Sequence, residues 1–302
     1  MLLRRRLIPL AGLALAFSVI AAVGRDAPAA PAAADMLVTT TWLREHLNDR
    51  NLVILQVGQP STYAREHIAG SRFVRLQDVS APRDTTKPAL EMPSDDSLRA
   101  DLERLGISDD SRIVVVFTDE FMSPATRVIY TLAYAGLADH ASLLDGGLVA
   151  WKRAGLPVTD AAPPAARGHL GLRVNRWLIV DHAYVQSLRG QSHVKLIDAR
   201  DSVYYAGPAQ GDMPSGHIHG AVNLPFEGMA NDSLQFLPTS DLERLFQGAG
   251  VEPGDTVVAY CHVGQQATMV LFAARLAGHP VRLYDGSMHE WLDLHLPVEG
   301  GR

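Results

Sequence analysis

Two stretches of this chain align without a gap at a constant offset of 142 residues, VVVFTDEFMSPATRVIYTLAYAG (114–136) against TVVAYCHVGQQATMVLFAARLAG (256–278). Flanking matches keep the same order, REHIAGS (65–71) beside SGHIHGA (215–221) and LDGGLVAWKRAGLPV (144–158) beside YDGSMHEWLDLHLPV (284–298). Each copy is domain-sized and far too long for a solenoid repeat, so the chain must fold as two related domains in tandem. Residues 35–158 and 171–302 form the two units, and the Ala-, Pro- and Gly-rich TDAAPPAARGHL (159–170) joins them.

Within each copy short apolar runs alternate with helical patterns. In the second, HVKLIDA (193–199), TVVAY (256–260) and VRLYDG (281–286) read as strands, and DLERLFQGAG (241–250) and ATMVLFAARLAG (267–278) as helices ended by glycine. Strands alternating with helices imply an α/β fold, a parallel sheet flanked by helices in each unit. Ligands of such sheets bind beyond the carboxyl ends of the strands. Cys261, the single cysteine, is placed at one of those ends, and Asp119 falls opposite it in the first copy.

A lone thiol forms no internal disulfide, and its place between a strand and a helix points to reactivity. The loop CHVGQQA (261–267) carries Gly264 near its middle and no carboxylate. It can curl so that the amides of His262, Val263, Gly264, Gln265, Gln266 and Ala267 face inward and open onto a helix N-terminus. Such a cradle favours thiolate over thiol and equally suits a persulfide anion. The competing reading of Cys261 is a small buried hydrophobe, the commoner fate of a free cysteine. His262 either adds positive charge or is a solvated loop residue. Arg200 either attracts an anionic donor or pairs with Asp198 or another carboxylate, and Asp198 reads as a cap for loop backbone. Tyr260 and Phe226 line the pocket or belong to the core. His67 and His217, Asp145 and Asp285, Gly146 and Gly286, and Trp151 and Trp291 recur in both copies and read as architectural.

The start of the chain fixes the expected compartment. Arg4 to Arg6 precede the apolar stretch 7–23, and Ala32-Ala33-Ala34 offers a small-residue cleavage pattern, so 1–34 is read as an export signal and the protein as periplasmic or secreted. An uncleaved anchor is the other reading, disfavoured because the stretch is short and contains Pro9 and Gly12. Removing four arginines and one aspartate with it takes the net charge from −6 to −9, which disfavours nucleic-acid and membrane partners.

The chain resembles the tandem-domain rhodaneses, or thiosulfate sulfurtransferases, of an exported bacterial type, over nearly all its mature length. The resemblance lies in LIDAR (196–200), GHIHGAVNLPF (216–226), the C-x-x-G-x-x-A loop at Cys261 and YDGSMHEW (284–291), where Met288 stands in place of the usual aromatic. It implies two tandem rhodanese-like domains, the first without a nucleophile. It also implies a ping-pong reaction in which Cys261 takes the outer sulfur of a donor such as thiosulfate, releases sulfite and passes the sulfur to a thiophilic acceptor such as cyanide. Backbone amides of 262–267 would stabilise the intermediate, and Arg200 matches a family arginine near the site. The loop departs from both thiosulfate-type and mercaptopyruvate-type members at His262 and Val263, so 3-mercaptopyruvate is the alternative donor. A sulfur-carrier or protein-interaction module, with a protein as sulfur acceptor, also stays open. No cofactor is expected. No metal is expected either, since GHIH (216–219) lacks a zinc-binding helical context. A phosphatase loop would need a closing arginine where Ala267 stands, and a disulfide oxidoreductase needs a second cysteine.

Overall fold

The computed structural model describes residues 36–84, 88–118, 122–207 and 215–300. The expected signal segment and Asp119 lie outside the described residues. No helix among the described residues is long and apolar enough to cross a membrane.

The first sheet contains β1 (Leu37–Val38), β2 (Leu52–Val57), β3 (Arg72–Val74), β4 (Arg112–Phe117) and β5 (Ala141–Leu144), in the order β1-β5-β4-β2-β3. The second unit supplies β6 (Ile179–Val180), β7 (Val194–Asp198), β8 (His217–Ile218), β9 (Val222–Asn223), β10 (Thr256–Tyr260), β11 (Val281–Tyr284) and β12 (Val298–Glu299). Its main sheet runs β6-β11-β10-β7-β9, the same arrangement, and β8 pairs with β12 in a small antiparallel sheet. Every pairing in both five-stranded sheets is parallel.

The near-continuous apolar runs of β4 and β10 follow from their central positions, where both faces are covered. Along β10 the side chains alternate: Val257, Ala259 and then Cys261 face the helices Thr239–Gly248 and Ala267–Leu276, while Val258 and Tyr260 face Met288 and Trp291. The helix Ala267–Leu276 ends as its sequence suggests, with Gly278 at φ 85° and the His279 amide bonded back to the Ala274 carbonyl.

The first of these faces is continuous between the units. The helix Ser123–Leu132 packs on its repeat counterpart Ala267–Leu276, and one apolar cluster runs through both. Thr126 Oγ1 lies 2.9 Å from Thr268 Oγ1. Those residues are 142 apart in the chain, so two equivalent positions touch and a local two-fold axis passes between them. The joining segment runs along the first unit: the Gly168 amide donates to the Glu103 carbonyl at 2.8 Å, and Leu170 is buried.

The recurring residues behave alike in the two copies. Trp151 and Trp291 are buried and donate to the carbonyls of Pro157 and Pro297. His67 and His217 stack on Tyr63 and Tyr205 and contact their carbonyls. Asp145 and Asp285 do more than shape a turn. Each carboxylate crosses to the other unit, where Asp145 accepts the Phe236 amide at 3.1 Å and Asp285 the Met92 amide at 2.7 Å.

Candidate active site

The loop 261–267 leaves the C-terminal end of β10, the middle strand of the second sheet, and enters the helix Ala267–Leu276. Its conformation is fixed through its carbonyls. The Cys261 and His262 carbonyls accept the amides of Met288 and His289 at 3.0 and 3.1 Å, from the first turn of the helix Ser287–Asp293. The Gly264 carbonyl accepts Arg127 Nη1 at 3.1 Å. The Gln265 carbonyl accepts Thr268 Oγ1 at 2.6 Å and the Thr268 amide, and the Gln266 carbonyl accepts the Met269 amide.

These anchors set the direction of the amides. Across a trans peptide the N–H points opposite to the C=O, and no peptide bond among the described residues is cis. Holding the carbonyls of Cys261, His262, Gly264, Gln265 and Gln266 outward therefore turns the amides of His262, Val263, Gln265, Gln266 and Ala267 away from those anchors, to the inside of the loop. None of the amides of residues 262–267 donates to another group among the described residues. Gln266, at the N-cap, offers no side-chain cap to the helix that follows. A run of uncommitted N–H groups at the start of a helix is an anion site.

Gly264 makes the turn possible. It sits at φ 76°, and a Cβ there would lie 2.9 Å from the Asp285 carbonyl oxygen and 3.1 Å from Arg127 Nη1. Ser287 supports the strand end: its Oγ accepts the Cys261 amide at 3.3 Å and donates to the Tyr284 carbonyl at 2.9 Å.

The thiol lies deeper than the sequence suggests. Cys261 is 1% exposed, whereas His262, Val263, Gln265 and Gln266 are half-buried and Gly264 and Ala267 are buried. Access of a donor to the sulfur is therefore narrow.

One expectation is corrected and one pair of alternatives is decided. His262 is neither charged nor freely solvated. Burial, reinforced by the positive charge of Arg200 and only partly opposed by Asp198, depresses its pKa to about 4, and its ring meets Tyr204 edge-on at 4.9 Å. It is a neutral wall of the loop at pH 7. Arg200, read as either donor-binding or paired, takes the paired role. It is fully buried, its Nε and Nη2 meet Asp198 at 2.9 and 2.5 Å, and Nη2 also donates to the Gly216 carbonyl at 2.6 Å. Burial alone would lower its pKa, yet the Asp198 carboxylate outweighs that and holds it above the ordinary arginine range. Asp198 also accepts the Arg200 amide at 3.0 Å, as a backbone cap does. Tyr260 and Phe226 are core residues, the Tyr260 hydroxyl accepting the Ile218 amide at 3.0 Å.

Arg127 was not singled out from sequence, and neither was Ser287. One signal for Arg127 was available, a lone arginine in an otherwise uncharged helical run opposite Met269 of the repeat. For Ser287 the signal was its replacement of Gly147 in the repeated DG motif.

Comparison with known proteins identifies the family of the two units. The model of the rhodanese-like domain matches twice, at residues 39–154 and 181–294. The chain is 34% identical over 279 residues to a Pseudomonas aeruginosa protein named "Probable 3-mercaptopyruvate sulfurtransferase", covering 88% of this chain and 98% of that one. It is 31% identical over 275 residues to thiosulfate sulfurtransferase of Rattus norvegicus, covering 84% and 91%. The crystal structure of the 3-mercaptopyruvate sulfotransferase SseA from Escherichia coli superposes with a TM-score of 0.73 at 26% identity, covering 83% and 98% of the two chains.

Proposed function

Starting from a chain that belongs to the rhodanese family as two tandem domains and is a sulfurtransferase, we propose that Cys261 carries the transferred sulfur and that thiosulfate is its donor. The observation that supports this most is the set of inward-turned, uncommitted amides following Cys261. They suit a sulfur anion and nothing else in the loop uses them.

The reaction then proceeds in two displacements. The Cys261 thiolate attacks the outer sulfur of thiosulfate. The sulfur–sulfur bond of the donor breaks and sulfite leaves with its electron pair. The new terminal sulfur is anionic and rests against the loop amides. A thiophile such as cyanide attacks that sulfur, the persulfide bond breaks, thiocyanate departs and the thiolate returns. Preoriented N–H groups hold charge at each stage without reorganising, which is where such sites gain rate. Arg200, balanced by Asp198, and neutral His262 leave the donor's charge to the backbone.

3-Mercaptopyruvate is the alternative donor, and comparison of kcat/KM across thiosulfate, 3-mercaptopyruvate and organic thiosulfonates separates the two. Cys261→Ser should abolish transfer from every donor while the fold persists; thiocyanate production by that variant refutes the assignment. A protein acceptor in place of cyanide is compatible with the same chemistry. The N-terminal segment 1–34 is proposed to direct the protein to the periplasm, tested by N-terminal sequencing of the mature form, where Asp35 is expected first.

A further inference from the structure

The contact between the two units pairs equivalent positions, and one position beside it carries a charge in a single copy. Thr126 meets Thr268, and Gln265 Nε2 donates to Ser123 Oγ at 3.0 Å, both pairs being equivalent positions 142 apart. At the next position the copies differ. Met269 is an apolar core residue, whereas its counterpart Arg127 is a fully buried cation.

Arg127 crosses from the first unit to the second. Its Nη1 donates to Asp285 Oδ1 at 2.7 Å and to the Gly264 carbonyl at 3.1 Å, while Nη2 donates to the Leu90 carbonyl. Asp285 Oδ2 accepts the Met92 amide at 2.7 Å. Leu90 itself sits at φ 66°, a conformation that non-glycine residues hold only where the surroundings over-determine it. One reading of this ion pair is a structural tie between units, since a buried charge survives only when paired and hydrogen-bonded.

The choice of acceptor says more. Among the anchored loop carbonyls, those of Cys261 and His262 are held by the helix Ser287–Asp293, and those of Gln265 and Gln266 by the loop's own helix. The Gly264 carbonyl alone of these is held by the other unit. Fixing that carbonyl outward fixes the Gln265 amide inward, because the peptide between them is trans.

We propose that Arg127 is a positioning residue for sulfur transfer: the N-terminal unit, through this side chain, holds the Gln265 amide in the orientation that stabilises the anion on Cys261. This rests on the reading of Cys261 as sulfur carrier. It gives the N-terminal unit, whose sequence has Asp119 opposite Cys261, a role in the chemistry.

The test is the double variant Arg127→Met with Asp285→Asn. It removes both charges together, supplies the residue found at the repeat position, and leaves an amide oxygen for the Met92 N–H. Iodoacetamide alkylation of Cys261 at pH 7 should slow about tenfold, less than the hundredfold or more that deleting an oxyanion donor costs. The turnover number should fall by a similar factor with donor KM changed less than about twofold. Tyr130→Phe is the control: it removes a buried hydrogen bond from the same helix to the Leu178 carbonyl and no contact to a carbonyl of the loop. It should lower the unfolding midpoint and leave alkylation and turnover near wild type. A folded double variant that alkylates at the wild-type rate overturns the proposal, as does an equal loss in Tyr130→Phe. Should the double variant not fold, Arg127→Lys serves, with one ammonium to share among the acceptors. About a threefold slower alkylation is then expected, and the wild-type rate overturns the proposal. Alkylation needs no donor, so a wild-type protein that transfers no sulfur would fail the functional reading separately.

Discussion

Acidification should destabilise this protein through His262 in a way that one substitution removes. In the folded chain its pKa is about 4, depressed first by burial and then by Arg200, against an ordinary value of 6.5. Below pH 6.5 the unfolded chain therefore takes up a proton that the folded chain refuses until about pH 4. Stability from this residue is complete above pH 6.5 and is lost as pH falls toward 4. A separation of that size sets a ceiling of about 3 kcal/mol over the whole window. The ring is only half-buried, so solvent screening cuts this to roughly half, and the part of the window above pH 5 carries about 1 kcal/mol. Urea unfolding of the wild type and of His262→Gln at pH 7 and pH 5 measures it. The wild type should lose about 1 kcal/mol more than the variant between the two conditions. Other histidines contribute equally to both proteins and cancel. Parallel losses, or a smaller loss in the wild type, would show that the ring is not held neutral by its surroundings.

Three further outcomes follow from the same contacts. Gly264→Ala forces a side chain into left-handed backbone and against the Asp285 carbonyl oxygen at 2.9 Å. A loss of about 2–4 kcal/mol by urea unfolding is expected from strain plus disruption of the Arg127 contact, with turnover falling at least tenfold. Arg200→Ala leaves the Asp198 carboxylate buried without its cation, and should cost about 3–5 kcal/mol in stability. Asp198→Asn with Arg200→Gln, which removes both charges, should recover much of that stability while donor KM changes little; a large rise in KM there would return Arg200 to direct donor binding. Ser287→Ala removes the acceptor of the Cys261 amide and should lower turnover severalfold without altering donor preference, measured by kcat/KM for two donors.

The sequence made much of the fold legible because the repeat and the periodicity act locally. TVVAY corresponds residue for residue to β10, and the helix starting at Ala267 ends just before the glycine that stops it. The very short strands β1 and β6 carry too few residues to show a period, and β8 and β12 are recognisable only as a pair. At the site, the loop glycine, the strand end and the helix start were all readable from Cys261 onward. What was not readable is what holds the carbonyls. Arg127 comes from the other unit, and the helix Ser287–Asp293 lies 26 residues downstream of the thiol at its nearest, so neither leaves a trace in the spacing of the loop itself. The charge on His262 was equally hidden, because it depends on burial beside Tyr204 and Arg200. The repeat also concealed something: equivalence suggested that Asp285 was architectural in the same way as Asp145, yet the residue at position 127 differs from that at 269 and changes what Asp285 does.

Mass spectrometry of the intact protein after incubation with thiosulfate tests the reading of Cys261 most directly. A gain of one sulfur atom per chain, mapped to Cys261 and removed by cyanide with release of thiocyanate, is the expected result. No gain on the wild type from any sulfane donor, or an equal gain on Cys261→Ser, would contradict it.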